Sequence, residues 1–405
     1  MTARILIAMC LGVLAGSFLG EFALSLGVVG NLVIHSIKVI ATPLVFLVVM
    51  RAIATTEVGG NSFLRVGAVA LFNVTIAITI GLTLSNLVRP GERLKVLGGG
   101  ATTAYQEQHF DWQTTLESFI PKSVVAPFAE NAILPVVILA LLAGFALRIA
   151  SRETGEVQES AQSIHKFLAG CYRLTEIILG WVLQLIPFAV FAVVAKTIAQ
   201  HGFTHLQGLL VYVLVGVGGL TLHALFTYQL WIALYAKIPL RRFWREAKEP
   251  VVVALGSNSS LATLPVTLRA LDRLGVSRSS SAMGAAVATN LNNDGIVLYE
   301  AMTALLVAQA AGIHLSIPQQ IFVALFSMIA AMGIAGVPEA GFISLALVLN
   351  AMALPLEMLP ILLTVDWVIA RGRSAVNVLS DMVLSIVLDR SLLTAKIPPV
   401  PIKTA

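Results

Sequence analysis

Between positions 289 and 295 the chain reads Thr289-Asn290-Leu291-Asn292-Asn293-Asp294-Gly295, inside an otherwise apolar run. A carboxylate flanked by three amides offers oxygen ligands and one negative charge, and the glycine permits an unwound turn. Such a group suits a hard monovalent cation; the alternative is an amide cluster joining helices by hydrogen bonds. A second set lies near the C-terminus, where Asp366, Arg371, Arg373, Ser374, Asn377 and Asp381 fall within one apolar segment. Asp366, Arg373, Asn377 and Asp381 follow at steps of seven, four and four, so they share one helix face. That face must look at a polar cavity rather than at lipid. Arg373 offers a fork for a carboxylate, and Asp381, one turn beyond Asn377, can hold a cation. The alternative is an internal Arg–Asp pair with no ligand. A third set is Ser257, Ser259 and Ser260 in the stretch Gly256 to Pro265, beside a helix N-terminus whose free N–H groups would bind an anion. The alternative there is a plain Ser/Gly turn.

The elements that position these groups are membrane helices. The 405 residues are 58% hydrophobic and only 12% charged, with mean hydropathy +0.90. A soluble domain carries about 25% charged residues, so this chain cannot cover itself with polar surface. Disorder, a coiled coil and a disulfide-stapled secreted domain are excluded, leaving a polytopic membrane protein. The net charge of +5 fits cationic loops facing anionic lipid rather than nucleic acid. Cys10 and Cys171 both sit in apolar runs and suggest neither a disulfide framework nor a metal site. The opening MTARILIAMCLGVLAG continues apolar past Phe22 without a clear cleavage site, which reads as an uncleaved first span.

Apolar segments cover 4–27, 31–54, 65–88, 130–150, 166–198 and 208–236, each long enough to cross a ~30 Å hydrocarbon layer. The 166–198 segment is too long for a straight span and is expected to tilt strongly. The polar stretch 89–129 reads as an extramembrane loop. Arg148, Arg152 and Lys166 flank one loop, while Lys237, Arg241, Arg242, Arg245 and Lys248 crowd another. Placing the N-terminus inside puts these clusters in the cytoplasm. The remaining chain is built differently. Segments 249–276 and 319–360 are interrupted by GSNSSLATLP and by GIAGVPEAG, and each precedes an apparently continuous span, 281–312 and 361–388. Paired Gly/Pro-interrupted segments are the mark of inverted-repeat transporters, with the site at the breaks. Both breaks read as tips of re-entrant hairpins. Glu339, in the second tip, is expected to reach the outer water, the alternative being a gate.

No enzyme constellation emerges. Ser259 and Ser260 have no histidine in a recognisable arrangement, and no Walker A or paired-cysteine motif exists. Gly216-Val217-Gly218 lies inside a span and means packing. His35 and His223 also lie within spans and read as helix–helix hydrogen bonds, with a proton relay as the alternative.

The serine-rich tip ending in ATLPVTLRAL, the NNDGIVLYEA stretch, the AGVPEAG tip and the RSAVNVLSD helix resemble the dicarboxylate/amino acid:cation symporter family. The resemblance runs from ILIAMCLGVLAG through IKVIATPLVF to Asp381. It implies an all-α polytopic homotrimer with eight transmembrane helices and two re-entrant hairpins, working as an elevator. Residues 1–245 would hold six helices, of which the first, second, fourth and fifth form a static scaffold and the third and sixth move with the transport domain. Residues 246–390 would hold the binding core and 391–405 a cytoplasmic tail. The resemblance also implies cation sites at Asn292, Asp294, Asn377 and Asp381, and a carboxylate-binding arginine at Arg373. Ala370 stands where amino acid transporters of the family keep an Asp for the substrate ammonium, which favours a dianion without an amino group. Asn258 replaces a first-hairpin arginine, whose charge Arg371 can supply. Leu261 replaces a third serine of that tip, Ile296 replaces a threonine after Asp-Gly, and Asn293 replaces a methionine at the sodium sites.

The expectation is therefore a secondary-active symporter, with no enzymatic activity and no cofactor, for C4-dicarboxylates such as succinate, fumarate or malate. Na⁺ or H⁺ is the coupling ion. Glutamate/aspartate symport is the runner-up, and an anion channel or membrane receptor comes from other classes. Ser259, Ser260, Gly336, Val337, Pro338, Arg371, Arg373, Ser374 and Asn377 would hold substrate. The expected location is the bacterial inner membrane, multi-pass, with both termini cytoplasmic.

Overall fold

In lipid every backbone N–H and C=O must be satisfied within the segment, so long apolar stretches become helices. The computed structural model describes residues 2–55, 60–94, 120–121, 123–130, 133–201, 204–287, 292–332 and 340–395. Among the described residues the chain is helical, with no strand. The main helices are α1 (Thr2–Phe18), α2 (Gly27–Thr55), α3 (Gly60–Val88), α4 (Ile133–Ala150), α5 (Glu156–Gln184), α6 (Ile186–His201) and α7 (Thr204–Leu230). They continue with α8 (Leu240–Ser257), α9 (Ser260–Leu274), α10 (Asp294–Ala310), α11 (Ile317–Met332), α12 (Ala340–Ala351) and α13 (Leu359–Ala395). Their faces are arranged for a bilayer. On α7, Leu222, Leu225 and Phe226 are exposed while His223, Thr227 and Tyr228 are buried.

Two sequence expectations about spans change. The 166–198 segment is bent within its length rather than running as one straight, tilted helix. Helices α5 and α6 meet at Leu185 and are bent by 42°. Pro187 explains the break, because it has no N–H to give to the preceding turn. The 281–312 segment is not continuous either. A short helix (Arg278–Ser281) and a widened turn (Ala282–Val287) come first, Thr289, Asn290 and Leu291 lie outside the described residues, and Asn292 and Asn293 are not helical before α10 begins at Asp294. Asparagine side chains compete with the ladder for backbone partners: Asn293 Nδ2 donates to Ala331 O at 2.9 Å. By contrast α13 is continuous over 37 residues, roughly 55 Å at 1.5 Å per residue.

The first interruption forms a helical hairpin. Helix α8 ends at Asn258, which adopts φ 53° and donates its N–H to Ala254 O. Ser259 then caps α9, accepting the Ala262 N–H at 3.2 Å. The two limbs pack along each other. Their base is tied by Arg273, which donates to Glu246 at 2.7 Å and to Glu249 at 3.0 Å. Hydrogen bonds from Arg245 first, and from Arg273 next, hold the Glu246 carboxyl below the usual carboxylate range. A depressed acid contributes stability above its unfolded value, and that contribution is lost as pH falls through its folded one. Acidification below about pH 4 is expected to loosen this base, and Glu246→Gln to do so at neutral pH. Faster amide hydrogen exchange at the 242–276 base in both conditions is the readout. The effect is small, because exposed pairs are weak. The second interruption, 333–339, lies outside the described residues; its flanking helices α11 and α12 pack against each other.

Helix α10 is the axis of the core. It is buried along nearly its whole length and packs against α3, α11, α12 and α13. It lies so close to α3 that a Cβ on Gly81 would come 2.7 Å from Leu298 O. Ser85 Oγ donates to Met302 O at 3.0 Å, and Gln309 Nε2 to Ser85 O at 2.9 Å. The first residues of the expected 89–129 loop join this contact. Pro90–Leu94 forms a 3₁₀ turn with Pro90, Gly91 and Leu94 buried, and Gly91 N donates to Gln309 Oε1 at 3.1 Å.

Candidate functional site

The polar stripe on α13 is buried as a unit: Asp366, Arg373, Asn377 and Asp381 are each 4% exposed or less. It faces the start of α10 and the non-helical Asn292–Asn293 pair, rather than open water. At its middle, Gly295 N donates to Asn377 Oδ1 at 2.8 Å, and Asn377 Nδ2 donates to Asn293 Oδ1 at 3.3 Å. Those contacts need Gly295. A Cβ there would sit 2.6 Å from Arg373 O and 2.9 Å from Arg373 Cα. A helix end left open by the unwound turn is thus closed by the side chain of another helix.

Asp294 is fully buried, and its Oδ2 meets three polar groups from two other helices. Ser380 Oγ of α13 donates at 2.5 Å, Tyr228 OH of α7 at 2.9 Å, and His223 Nε2 of α7 lies at 3.2 Å. Asp294 Oδ1 has no hydrogen-bond partner, and neither amide atom of Asn292 has one. Orphaned buried oxygens need an explanation, and an absent ion is one. The donor set (amide and carboxylate oxygens with a single formal charge) fits a hard monovalent cation.

Arg373 meets a carboxylate from its own helix. Its Nη1 and Nη2 donate to the two oxygens of Asp366 at 2.8 and 3.1 Å, and its guanidinium lies 3.9 Å from the centroid of the Tyr299 ring. The geometry is the bidentate fork expected from the arginine, with an internal partner in it. Arg371 lies about 200° round the helix and turns back, donating to Trp367 O at 2.7 Å. The first hairpin reaches this level of α13 through its tip: Ser374 Oγ donates to Asn258 Oδ1 at 3.0 Å. The Ser259 hydroxyl is occupied as the α9 cap, and Ser260 is the first residue of that helix. Gly336, Val337, Pro338 and Glu339 lie outside the described residues.

Several partners were not singled out from sequence. Tyr228 and Ser380 carry no charge and look like ordinary helix residues. Tyr299 was hidden as one aromatic among apolar neighbours. Glu300 did carry a signal, a charge inside an apolar run. It is fully buried, Ser344 donates to its Oε1, and its Oε2 has no partner.

Over 403 residues the chain is 30% identical to a C4-dicarboxylate transport protein of Agrobacterium fabrum, covering 96% of this chain and 87% of that one. It is 28% identical to a C4-dicarboxylate transport protein of Bacillus subtilis (96% and 93% covered), and 30% identical to one of Yersinia enterocolitica (96% and 90% covered). Residues 1–391 match the model of the sodium:dicarboxylate symporter family, and the chain belongs to that family.

Proposed function

We propose that the chain is a cation-coupled symporter for C4-dicarboxylates, and that Arg373 is the group on which a substrate carboxylate docks. The observation that carries this reading is the bidentate, buried fork of Arg373 on Asp366. A carboxylate of the substrate can take the place of the Asp366 carboxylate with the same two-bond geometry. In the empty carrier Asp366 then neutralises Arg373, and in the loaded carrier the dianion does. Ala370, buried on α13, offers nothing to an ammonium group. Ser374, the Ser259–Ser260 tip and Asn377 complete the substrate site from α13 and the first hairpin, and the Gly336–Pro338 backbone closes it. Arg371 adds positive charge. The relatives' C4-dicarboxylate names support the same class.

Asn292 and Asp294 hold the cation through their orphaned oxygens, with Asn377 and Asp381 alongside. Sodium suits those oxygens; if the ion is H⁺, Glu300 is the buried carboxyl that would carry it. Helices α1, α2, α4, α5 and α6 pack mostly among themselves and meet α12 and α13 along one side, while α3 and α7–α13 surround the site. This partition supports a static scaffold and a moving transport domain. Trimeric assembly, an inner-membrane location and cytoplasmic termini follow the family resemblance.

Uptake into proteoliposomes tests the reading. Labelled succinate is expected to accumulate uphill under an imposed Na⁺ gradient, and labelled aspartate is not. Accumulation driven only by a pH gradient moves the ion assignment to Glu300. Aspartate accumulation transfers the substrate assignment to acidic amino acids, and downhill flux alone points to a channel.

A further inference from the structure

We propose that His223 is a positioning residue for the cation: it fixes Asp294 so that one carboxylate oxygen is tied to the protein and the other faces the ion. The inference rests on the cation site proposed above at Asn292 and Asp294. The two oxygens of Asp294 are in different situations. Oδ2 takes His223 Nε2, Tyr228 OH and Ser380 Oγ, whereas Oδ1 takes nothing. A carboxylate that ligates a cation has only acceptors, so in this arrangement His223 Nε2 carries the hydrogen presented to Oδ2. The other ring nitrogen, Nδ1, is 3.1 Å from Thr227 Oγ1, one turn further along α7. Thr227 therefore holds the ring plane, and His223 in turn sets the carboxylate plane. The His223 ring also packs edge-on against Tyr228, with centroids 4.9 Å apart, so the two α7 donors move together. All three side chains are buried at 0–1% exposure. A helix–helix hydrogen bond, the reading that sequence favours for His223, exists here, and its partner is the carboxylate of the ion site.

This arrangement does what outer-sphere hydrogen bonds do for metal ligands generally: it sets ligand orientation and withholds one lone-pair set from the ion. Asp294 then ligates through a single oxygen. Without His223 the carboxylate can rotate about its last bond, and the ion loses a ligand held in place.

Purified full-length protein, reconstituted in lipid, is titrated with Na⁺ while bound labelled succinate is measured. His223→Leu is expected to raise the sodium half-saturation by about ten-fold or more, with succinate affinity at saturating sodium unchanged. His223→Gln, which keeps an N–H donor, is expected to restore the wild-type sodium curve. Tyr228→Phe removes one hydroxyl from the same oxygen and shifts the curve in the same direction by less; it carries the test if His223→Leu does not fold. Equal shifts for the Leu and Gln variants, or a change in succinate affinity and melting temperature with the sodium curve in place, overturn the proposal. Asp294→Asn separates the two claims. If it abolishes sodium dependence while His223→Leu and Tyr228→Phe do not move the curve, the site stands and the role of His223 falls. If it leaves sodium dependence intact, the cation site itself falls.

Discussion

Arg373→Ala is expected to abolish succinate uptake, and repairing the fold is not expected to bring it back. The single substitution has two consequences. It removes the fork on which the substrate is proposed to dock, and it strands Asp366, which is 1% exposed and loses both of its guanidinium bonds. Breaking a buried pair by removing one partner costs about 3–5 kcal/mol, because a charge is left without compensation. Loss of uptake by Arg373→Ala alone would therefore be ambiguous. Arg373→Ala combined with Asp366→Asn removes the stranded charge, and most of the lost melting temperature is expected to return while uptake stays absent. Asp366→Asn alone leaves Arg373 without its internal carboxylate. It is expected to destabilise the empty protein and to enlarge the stabilisation that succinate confers, since only a binding ligand now fills the fork. A double variant that folds and transports succinate would reduce Arg373 to a structural residue.

The second large effect is expected at Gly295, where the Arg373 backbone and the Asn377 side chain oppose a larger residue. A methyl group there would lie 2.6 Å from Arg373 O and 3.0 Å from Asn377 Oδ1. Neither α10 nor α13 can yield cheaply, because each is packed on several sides. Overpacking of this kind costs about 1–3 kcal/mol. The displacement also lengthens the Gly295–Asn377 bond and draws Asp294 away from Ser380, so substrate and cation terms both suffer. Gly295→Ala is expected to lose most uptake and to raise the sodium half-saturation. Gly218→Ala is the control, since a Cβ at Gly218 meets nothing within 4 Å. If the two alanine variants behave alike in uptake, the close approach of α10 to α13 has no functional weight.

Much of this protein is legible along the chain. A 12% charged fraction admits only a membrane solution, because the composition cannot provide a polar surface. Helix periodicity alone places Asp366, Arg373, Asn377 and Asp381 on one face, and that face is buried in the structure. The GSNSSLATLP interruption reads as a hairpin tip because small polar residues cannot face lipid as open backbone, and the chain does reverse at Asn258–Ser259. Such features depend on neighbours in sequence, so local rules reach them. The bend at Pro187 and the late start of α10 at Asp294 were within reach of the same rules, as a proline and an amide run inside apolar segments.

What the sequence could not decide is which polar groups meet. Periodicity left the Arg373 fork open to a ligand or to Asp366, and side-chain packing puts Asp366 there, seven residues back on the same helix. His223 and Ser380 stand 71 and 86 positions from Asp294. Nothing in the spacing of residues so far apart couples them; their contact follows from where α7 and α13 cross α10. The burial of Pro90–Leu94 and the inequality of the two Asp294 oxygens arise in the same way. Composition and periodicity determine what must be buried, because the bilayer punishes every misplaced polar group equally. Only the crossing of distant helices decides which buried group satisfies which, because a hydrogen bond depends on ångström-scale distance and angle, and neither is encoded in the order of residues.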